Sequence, residues 1–346
     1  YKRKKVLVTG STGFKGSWLA TWLSLLGAKT SGYSLEPLED NSLFTLLDVN
    51  NSCPTIIGDI RDADKLSSSI QVFEPEIIFH LAAQPLVQES YASPKETYEI
   101  NIMGTVNILE SALNCPSVKS FINVTSDKVY ENKSSEWGYR EDERLNGSDP
   151  YSNSKSCADL IANCYKRSFL DGKFNLSNVR SGNVIGGGDW AKDRLIPDMI
   201  RAIISNQEMT LRNPQSTRPW QHVLEPLLGY ILLAQKMYNS SDYNSNWNFG
   251  PDHSEDASVE EISRKYSEYW SRNVEVSSES DTFEEAKYLR LDSSRARTRL
   301  GWESLWDLNE TIQKTFFWYE EFLKGSDIKK ITINQIKEYQ ILQEKK

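Results

Sequence analysis

A short apolar run that leads into three spaced glycines is the feature that most limits the folds open to this chain. Residues 6–16 read Val-Leu-Val-Thr-Gly-Ser-Thr-Gly-Phe-Lys-Gly, with glycines at positions 10, 13 and 16. The pattern predicts a strand, a tight turn and a helix start, because glycine adopts turn conformations without steric cost. Glycines also let the backbone approach a pyrophosphate, whose charge the free N–H groups of the helix start stabilise. The segment therefore predicts a dinucleotide site, with a purely structural turn as the alternative.

Beyond this loop, short β-branched runs alternate with amphipathic stretches, which is typical of a parallel sheet covered by helices. The predicted strands are 5–9, 29–34, 55–58, 77–81, 120–124 and 176–180. The predicted helices are 16–26, 62–73, 94–113, 151–169 and 196–205. Right-handed crossovers between them give an α/β fold with one doubly wound parallel sheet of the Rossmann type.

The regularity weakens after about residue 183, where clusters of glycine, proline and tryptophan separate short elements. The remaining predicted elements are a strand at 208–212 and helices at 258–269 and 308–324. The predicted division is a nucleotide-binding domain at 1–182, a smaller C-terminal substrate-binding cap mainly at 183–326, and a peripheral helical tail at 327–346. Segments near 215–250 are expected to return to the first domain.

Several residues near the predicted strand ends are candidates for cofactor contacts. The second strand ends in Tyr33-Ser-Leu-Glu36, with neither an Asp for ribose hydroxyls nor an Arg for a 2′-phosphate, which favours NAD over NADP. Asp59 follows the third strand and could bond the adenine amine, although helix capping is the alternative. Lys15 is unusual in a glycine loop, because a cation there either pairs with the pyrophosphate or crowds it. His80 is expected to be a satisfied near-core residue.

The strand predicted at 120–124 runs directly into Thr125-Ser-Asp-Lys128, and Tyr151 and Lys155 follow after a loop. A Tyr and a Lys four residues apart lie on one helix face, so the ammonium can lower the pKa of the phenol. Tyr151 could then take a proton from a substrate hydroxyl while a hydride leaves the same carbon. Ser126 would bond that hydroxyl. Asp127 and Lys128 add an acid and an amine, which could eliminate water once a neighbouring carbon is a ketone; solvated strand-end charges are the alternative.

Composition narrows the remaining classes of function. A net charge of −8 argues against general nucleic-acid binding, and no apolar run reaches the length of a membrane span or a signal peptide. The four cysteines form no CxxC pair and are expected to be free cytosolic thiols. With only three histidines, none at metal-ligand spacing, a metal site is not expected.

A set of longer stretches carries a family resemblance that runs from residue 5 to about residue 302. These stretches are Thr12-Gly-Phe-Lys-Gly-Ser17, Ala83-Gln-Pro-Leu-Val87, Asn101-Ile-Met-Gly-Thr105, Thr125-Ser-Asp-Lys128, Trp137-Gly-Tyr-Arg-Glu141, Asp149-Pro-Tyr-Ser-Asn-Ser-Lys155, Gly182-Asn-Val-Ile-Gly-Gly-Gly-Asp-Trp190, Asp193-Arg-Leu-Ile-Pro197 and Arg218-Pro-Trp-Gln-His-Val223. The chain resembles the extended short-chain dehydrogenases/reductases and, more narrowly, the CDP-glucose 4,6-dehydratases.

This resemblance implies a redox-neutral lyase that retains NAD and converts CDP-glucose into its 4-keto-6-deoxy derivative and water. Tyr151, tuned by Lys155, would remove the 4-hydroxyl proton during hydride transfer from C4. Lys128 would take the C5 proton, and Asp127 would protonate the departing 6-hydroxyl before hydride returns to C6. Related dTDP-glucose dehydratases carry an acidic residue where this chain has Lys128.

The resemblance also assigns binding residues. Asn183 and Arg194 would serve the diphosphate, Arg212 and Arg218 a phosphate or ribose, and Tyr288 the base or sugar; Arg suits phosphate through its bidentate donors. The full predicted substrate set is Gln84, Asn183, Arg194, Leu195, Arg212, Arg218 and Tyr288. The predicted cofactor set is Gly10, Thr12, Gly13, Phe14, Lys15, Gly16, Asp59, Ile60, Leu81, Ala82, Ala83, Gln84, Asn101, Tyr151 and Lys155.

Other readings stay open at this point. Another nucleotide-sugar 4,6-dehydratase, acting on a dTDP or GDP sugar, has the same motifs. A sugar-nucleotide 4-epimerase shares the glycine loop and the Tyr/Lys pair but normally lacks the acid and amine after Ser126. A protein that binds NAD without turnover typically loses Tyr151 or Lys155. The resemblance further implies a cytoplasmic homodimer or homotetramer with a role in deoxysugar biosynthesis for lipopolysaccharide O-antigen.

Overall fold

Seven parallel strands form the central sheet of the computed structural model, which describes residues 1–211, 214–252, 256–271, 274–276 and 289–346. The strands of this sheet are β1 Lys5–Thr9, β2 Lys29–Ser34, β3 Thr55–Ile57, β4 Ile77–His80, β5 Ser120–Val124, β6 Asn175–Arg180 and β11 Trp247–Asn248. Their spatial order is β11-β6-β5-β4-β1-β2-β3, and every neighbouring pair is parallel. The strand order reverses between β1 and β4, where doubly wound sheets bind ligands. The predicted fold class is confirmed.

Helices cover both faces of this sheet. The helices are α1 Phe14–Leu25, α2 Leu43–Leu46, α3 Val49–Ser52, α4 Ala63–Phe73, α5 Val87–Ala92, α6 Pro94–Tyr98, α7 Gly104–Leu113, α8 Pro150–Ser168, α9 Leu195–Ser205, α10 Leu224–Asn239, α11 Val259–Trp270, α12 Leu308–Leu323 and α13 Ile328–Glu344. Successive strand residues point to opposite faces, so Val6 and Val8 enter one core cluster and Leu7 the other. The larger cluster includes residues of α1, α10, α12 and α13, and the smaller one includes residues of α4, α7 and α8.

The region predicted as the cap contains short strands and helices outside the central sheet. Its strands are β7 Val184–Ile185, β8 Met209–Leu211, β9 Thr217–Pro219, β10 Gln221–His222, β12 Asp256–Ser258 and β13 Val274–Val276. They form three separate pairs, β7 with β10, β8 with β13 and β9 with β12. Helix α11 begins at a capping box, in which Ser258 and Glu261 exchange side-chain and backbone hydrogen bonds.

One predicted helix departs from its predicted form, and the helix predicted at the end of the chain is present. The single helix predicted at 94–113 is interrupted by a π-helical turn at Glu99–Met103, an irregularity that is frequent at functional sites. The residues after 327 form α13, and one face of this helix is buried at Thr332, Ile336 and Tyr339.

The structure also gives the state of the cysteines and of candidate metal clusters. Cys53, Cys115, Cys157 and Cys164 are all free thiols. Within the described ranges, no three His, Cys, Asp or Glu side chains converge as metal ligands. None of the described helices combines the length and apolarity that crossing a membrane requires.

Candidate active site

A cleft of about 450 Å³ opens at the carboxyl end of the sheet, between the strand ends and the cap. Its walls include the predicted catalytic residues Ser126, Asp127, Lys128 and Tyr151. Predicted substrate residues on the same walls are Asn183, Arg194, Leu195 and Arg218. The structure therefore brings together side chains that lie far apart in the sequence. Arg212 and Tyr288, also predicted to bind substrate, lie outside the described residues.

The catalytic segment begins where β5 ends and turns immediately into a single 3₁₀ turn at Asp127–Val129. Ser126 caps this turn, because its Oγ accepts a hydrogen bond of 3.2 Å from the Lys128 N–H. The same hydroxyl donates to Asp127 Oδ1 at 3.0 Å and is hydrogen-bonded to Tyr151. Ser126 thus connects the acid to the phenol.

Tyr151 and Lys155 lie in the first two turns of α8, which starts at an Asp149 cap followed by Pro150. Both side chains are buried, with exposed fractions of 8% and 7%. The Lys155 ammonium donates to the carbonyl oxygen of Val124, the last residue of β5, at 3.2 Å. This bond ties the start of α8 to the end of β5.

The pKa of the Tyr151 phenol lies above its usual value in the protein alone. Burial raises the pKa of this phenol and Asp127 adds to the rise, while the Ser126 hydrogen bond and the charge of Arg194 oppose it. Burial and repulsion by Lys15 lower the pKa of Lys155 to about 8. In the protein alone the net shift is upward, because the desolvation of a buried phenol outweighs the nearby positive charge. The lowering of the phenol pKa by Lys155 together with bound NAD stays a prediction.

Lys15 extends from α1 into the cleft, where its ammonium donates to Ser181 Oγ at 3.2 Å. Ser181 follows β6, and its hydroxyl is hydrogen-bonded to the buried Tyr230 at 2.7 Å. Burial, together with repulsion by Arg194, lowers the pKa of Lys15 to about 8. A half-buried cation whose bond goes to a neutral hydroxyl suits an anionic ligand.

The N-terminus of α9 faces the cleft through Leu195 and Ile196. The free N–H groups at a helix start attract anions, which gives Leu195 a physical reason to lie near a phosphate. Arg194 caps this end and pairs with Asp189 at 2.9 Å. Asn183 has a φ of +45°, a left-handed conformation that Asn tolerates better than most residues and that clusters at functional sites.

The glycine loop packs closely against the backbone at Gly10 and Gly16 and is open at Gly13. A dinucleotide site requires both features. A Cβ on Gly10 would lie 2.8 Å from Ala82 N, and one on Gly16 would lie 2.0 Å from Gly10 O. A Cβ on Gly13 would meet only Gly10 O, at 3.4 Å. Leu81 and Ala82 donate their N–H groups to Thr9 Oγ1, which holds this part of the sheet edge beside the loop. These features fit a bound pyrophosphate.

Other predicted cofactor residues are occupied by protein contacts. Thr12 bonds Ser34 Oγ at 2.6 Å, which ties the glycine loop to the end of β2. Asp59 pairs with Arg61 and accepts its backbone N–H at 2.8 Å, and this pairing lowers the pKa of Asp59. Asn101, in the π-helical turn, bonds the backbone of Gln84 at both N–H and C=O. Their roles toward a cofactor stay predictions.

Four more residues predicted to bind the cofactor also lie against other parts of the protein. Ile60 is buried in the smaller core cluster, and Phe14 lies against Gly186 of the loop that leads to the cap. Gln84 Nε2 donates to Leu86 O and to Thr97 Oγ1. Ala83 is half-buried beside Gln84.

His80 confirms its predicted role as a satisfied core residue. It is 3% exposed, and its ring nitrogens bond Thr9 and Thr105 at 2.8 and 3.4 Å. Burial lowers its pKa to about 3, so the ring is neutral.

Sequence reasoning missed Ser181, Asp189 and Tyr230, which surround Lys15 and Arg194. Asp189 orients Arg194, and Tyr319 donates to the Asp189 carbonyl at 2.7 Å. The Gly-Gly-Gly-Asp-Trp run ending at Trp190 is the one local signal that marks Asp189. Ser181 and Tyr230 have no local signal, because their role depends on the packing of α10 beneath β6.

The sheet order, the glycine loop and the Tyr151/Lys155 pair define a nucleotide-binding enzyme fold of the short-chain dehydrogenase/reductase type. Solved structures share it. UDP-glucose 4-epimerase from Stenotrophomonas maltophila matches with a TM-score of 0.81 at 20% identity over 94% of this chain and 100% of that chain. The dTDP-glucose 4,6-dehydratase DesIV from Streptomyces venezuelae, solved with NAD bound, matches with a TM-score of 0.79 at 23% identity over 93% and 98% of the two chains.

Sequence comparison narrows the family. The model of the GDP-mannose 4,6 dehydratase family matches residues 7–315. CDP-glucose 4,6-dehydratase from Salmonella typhimurium is 46% identical over 98% of this chain and 97% of its own length. Human dTDP-D-glucose 4,6-dehydratase is 26% identical over 92% and 90%. The chain therefore belongs to the GDP-mannose 4,6 dehydratase family of nucleotide-sugar dehydratases, which confirms the resemblance.

Proposed function

We propose that this protein is an NAD-dependent dehydratase that converts CDP-glucose into CDP-4-keto-6-deoxyglucose and water. The observation that carries the proposal is the 3₁₀ turn after Ser126, which presents Asp127 and Lys128 to the same cleft as Tyr151. Proton transfer at three positions of one sugar requires groups placed in this way. The relative at 46% identity supports CDP-glucose as the substrate.

The first stage uses Tyr151, Ser126 and Lys155. Ser126 and Tyr151 lie within hydrogen-bonding reach of each other, so a sugar 4-hydroxyl placed beside both can donate its proton to the Tyr151 phenolate. Bound NAD would supply the hydride acceptor for C4, a positive charge beside the phenol, and later the hydride that reaches C6. Lys155 is fixed on the strand end, and we assign it the tuning of the Tyr151 phenol.

The second stage uses Lys128 and Asp127. The C4 ketone makes the C5 proton acidic, and Lys128 in its neutral form removes it. Asp127 in its protonated form gives a proton to the 6-hydroxyl, the C6–O bond breaks, and water leaves as a C5–C6 double bond forms. Return of hydride to C6 and of the proton to C5 completes the product.

In this proposal the substrate is bound by residues on the side of the cleft that belongs to the predicted cap. We assign the diphosphate to the α9 N-terminus, Arg194 and Asn183, and a phosphate or ribose to Arg218. Lys15 adds a cation at the same end of the cleft. Arg212 and Tyr288 remain proposed ligands of the phosphate or ribose and of the base or sugar.

The main alternatives are another nucleotide-sugar 4,6-dehydratase and a 4-epimerase. Fold does not separate them, because the epimerase and dehydratase structures match this chain about equally well. The Asp127/Lys128 pair favours dehydration, since an epimerase has no water to eliminate. Oligomeric state, cytoplasmic location and the O-antigen role stay predictions.

The test is to incubate the purified protein with CDP-, dTDP-, GDP- and UDP-glucose, with and without added NAD. Mass spectrometry detects the 4-keto-6-deoxy sugar, and absorbance detects accumulated reduced cofactor. We expect keto sugar from CDP-glucose without net reduction of the cofactor. Absence of water loss from every donor, or stoichiometric reduction of NAD, would contradict the proposal.

A further inference from the structure

A buried ion pair lies directly behind the catalytic segment. Arg180, the last residue of β6, donates to Asp159 on α8 from Nε at 2.9 Å and from Nη2 at 2.8 Å. The two side chains are 1% and 0% exposed. Such a bidentate pair fixes the relative orientation of its partners more strictly than a single bond. Neither residue lines the cleft, so the pair acts through its neighbours.

The same pair reaches both ends of the catalytic segment. Before Ser126, the Thr125 hydroxyl donates to Asp159 Oδ2 at 3.2 Å. After Lys128, the Arg180 Nη1 donates to the Tyr130 hydroxyl at 2.7 Å. The turn that carries Ser126, Asp127 and Lys128 is therefore held at each end by one member of the pair.

The pair also reaches the catalytic helix. Asp159 lies one turn after Lys155 and two turns after Tyr151 on α8, so its carboxylate is rigidly related to both. Further bonds lock the arrangement: Tyr130 donates to Asn248 Oδ1 at 2.8 Å, and Arg180 donates to the Glu141 carbonyl at 2.9 Å. All of these groups are buried.

We propose that the Arg180–Asp159 pair positions the proton-transfer groups of the catalytic turn against those of the catalytic helix, with Thr125 and Tyr130 as its two contacts. The proposal rests on the proposed dehydratase function and names its positioning residues. Stability alone does not require the pair, because apolar residues of similar volume often replace buried ion pairs without loss of stability. Successive proton transfers at C4, C5 and C6 require the catalytic turn and the catalytic helix to keep a fixed relative position. The Arg180–Asp159 pair can provide this, because it contacts both.

The test avoids the pair itself, because removing one partner leaves a buried unpaired charge and endangers folding. Tyr130→Phe removes the hydroxyl that contacts Arg180 and keeps the ring. Thr125→Val removes the hydroxyl that contacts Asp159 at constant volume. Tyr266→Phe is the matched control: Tyr266 is equally buried, but its hydroxyl donates to the Met199 carbonyl beneath the cap.

We expect kcat with CDP-glucose to fall on the order of 10- to 100-fold in Tyr130→Phe and Thr125→Val, with KM roughly unchanged, since a small misplacement costs that much. Tyr130→Phe acts on the Lys128 side, so reduced cofactor should accumulate as C4 oxidation outruns water loss. Thr125→Val acts on the Ser126 side, so C4 oxidation itself should slow. Tyr266→Phe should keep the kcat of the wild type.

The assay distinguishes a failure of the dehydratase proposal from a failure of the positioning role. If the wild type forms no 4-keto-6-deoxy sugar from CDP-glucose, the dehydratase proposal falls, and the positioning role falls with it. If the wild type turns over and either folded variant keeps wild-type kcat, or shows raised KM without loss of kcat, only the positioning role is overturned.

Discussion

The reactivity of Tyr151 depends on a balance between desolvation and charge. Burial raises the pKa of its phenol, and the buried Lys155 donates to a backbone carbonyl instead of contacting an acid. The phenol is therefore protonated in the protein alone, and it must lose this proton before it can accept one from the sugar 4-hydroxyl. Positive charge beside the ring favours that loss. Arg194 already supplies part of that charge.

Tyr151→Phe should abolish keto-sugar formation while NAD binding stays close to that of the wild type. The change removes only the hydroxyl that handles the 4-hydroxyl proton and keeps the buried ring. Turnover by mass spectrometry and NAD affinity by calorimetry check this. Tyr165→Phe is the control, because Tyr165 is on the same helix and its hydroxyl donates to Glu110 away from the cleft. A wild-type rate in Tyr151→Phe would refute the assignment.

Lys128→Met should permit C4 oxidation and block water loss. The amine that takes the C5 proton is gone, whereas Ser126 and Tyr151 remain. In D₂O the variant should show reduced cofactor and no deuterium at C5 of the sugar. Lys133→Met, which removes an exposed lysine paired with Glu131, serves as the control. Deuterium retained at C5 in Lys128→Met would show that another group is the base.

Local patterns predicted the candidate catalytic residues, whose roles stay predictions, but not the residues that hold them. Tyr151 and Lys155 were predictable because their spacing puts them on one helix face. The partner of Arg194 was not, because Asp189 meets it only through the loop between β7 and α9. Arg180 and Asp159 belong to separate elements, and nothing in either neighbourhood indicates that one pair reaches both ends of the catalytic turn.

At the scale of elements, the catalytic turn depends on how closely two strand ends approach. Gly182 follows β6, and a Cβ built on it would lie 1.7 Å from Asp127 Oδ2. The carboxylate therefore packs directly against the glycine backbone. Any larger residue at position 182 must displace the proposed acid.

Gly182→Ala should reduce kcat by on the order of 100-fold with a folded protein, because the Asp127 carboxylate moves away from the 6-hydroxyl. Steady-state kinetics with CDP-glucose and a circular dichroism spectrum check this. Gly172→Ala is the control: Gly172 has a φ of +77° with no atom within 4 Å of its Cβ position, so alanine strains a remote turn. That control should lose stability and keep kcat. Unchanged kcat in Gly182→Ala would show that catalysis does not depend on the position of the Asp127 carboxylate.

The elements themselves were largely predictable, and their departures have physical causes. The sheet strands β1, β2 and β5 match their predicted bounds. In β1 and β5 the apolar β-branched residues suit a buried parallel sheet. The π-helical turn at Glu99–Met103 was not predictable, because it arises where Asn101 bonds Gln84 and Ser154 across elements. Sequence periodicity carries no record of such contacts.

At the scale of the whole molecule, a buried carboxylate joins α13 to the core. Glu225, in the first turn of α10, accepts the N–H groups of Leu305 and Trp306 at 3.0 and 2.9 Å and the hydroxyl of Tyr339. Burial raises the pKa of Glu225 to about 7, although these three bonds oppose the rise. The charged residues that dominate the end of the chain did not indicate this anchor.

This carboxylate makes stability depend on pH. The folded protein holds the Glu225 proton more tightly than the unfolded chain, whose glutamates have a pKa near ~4.3. Its contribution to folding is therefore largest below that value and declines as pH rises through about 7. Above that pH the carboxylate is ionised and relies on its three donors.

Tyr339→Phe should therefore destabilise the protein more at pH 8 than at pH 5. A hydrogen bond to a charged group contributes about 1.5–3 kcal/mol, against about 0.5–1.5 kcal/mol for a neutral one, so the difference between the two pH values should be roughly 1 kcal/mol. Free energies of unfolding from urea titrations measure it. Tyr266→Phe provides the control, because its hydroxyl donates to the Met199 carbonyl, which does not titrate. An equal loss at both pH values in Tyr339→Phe would mean that Glu225 does not change its charge in this range.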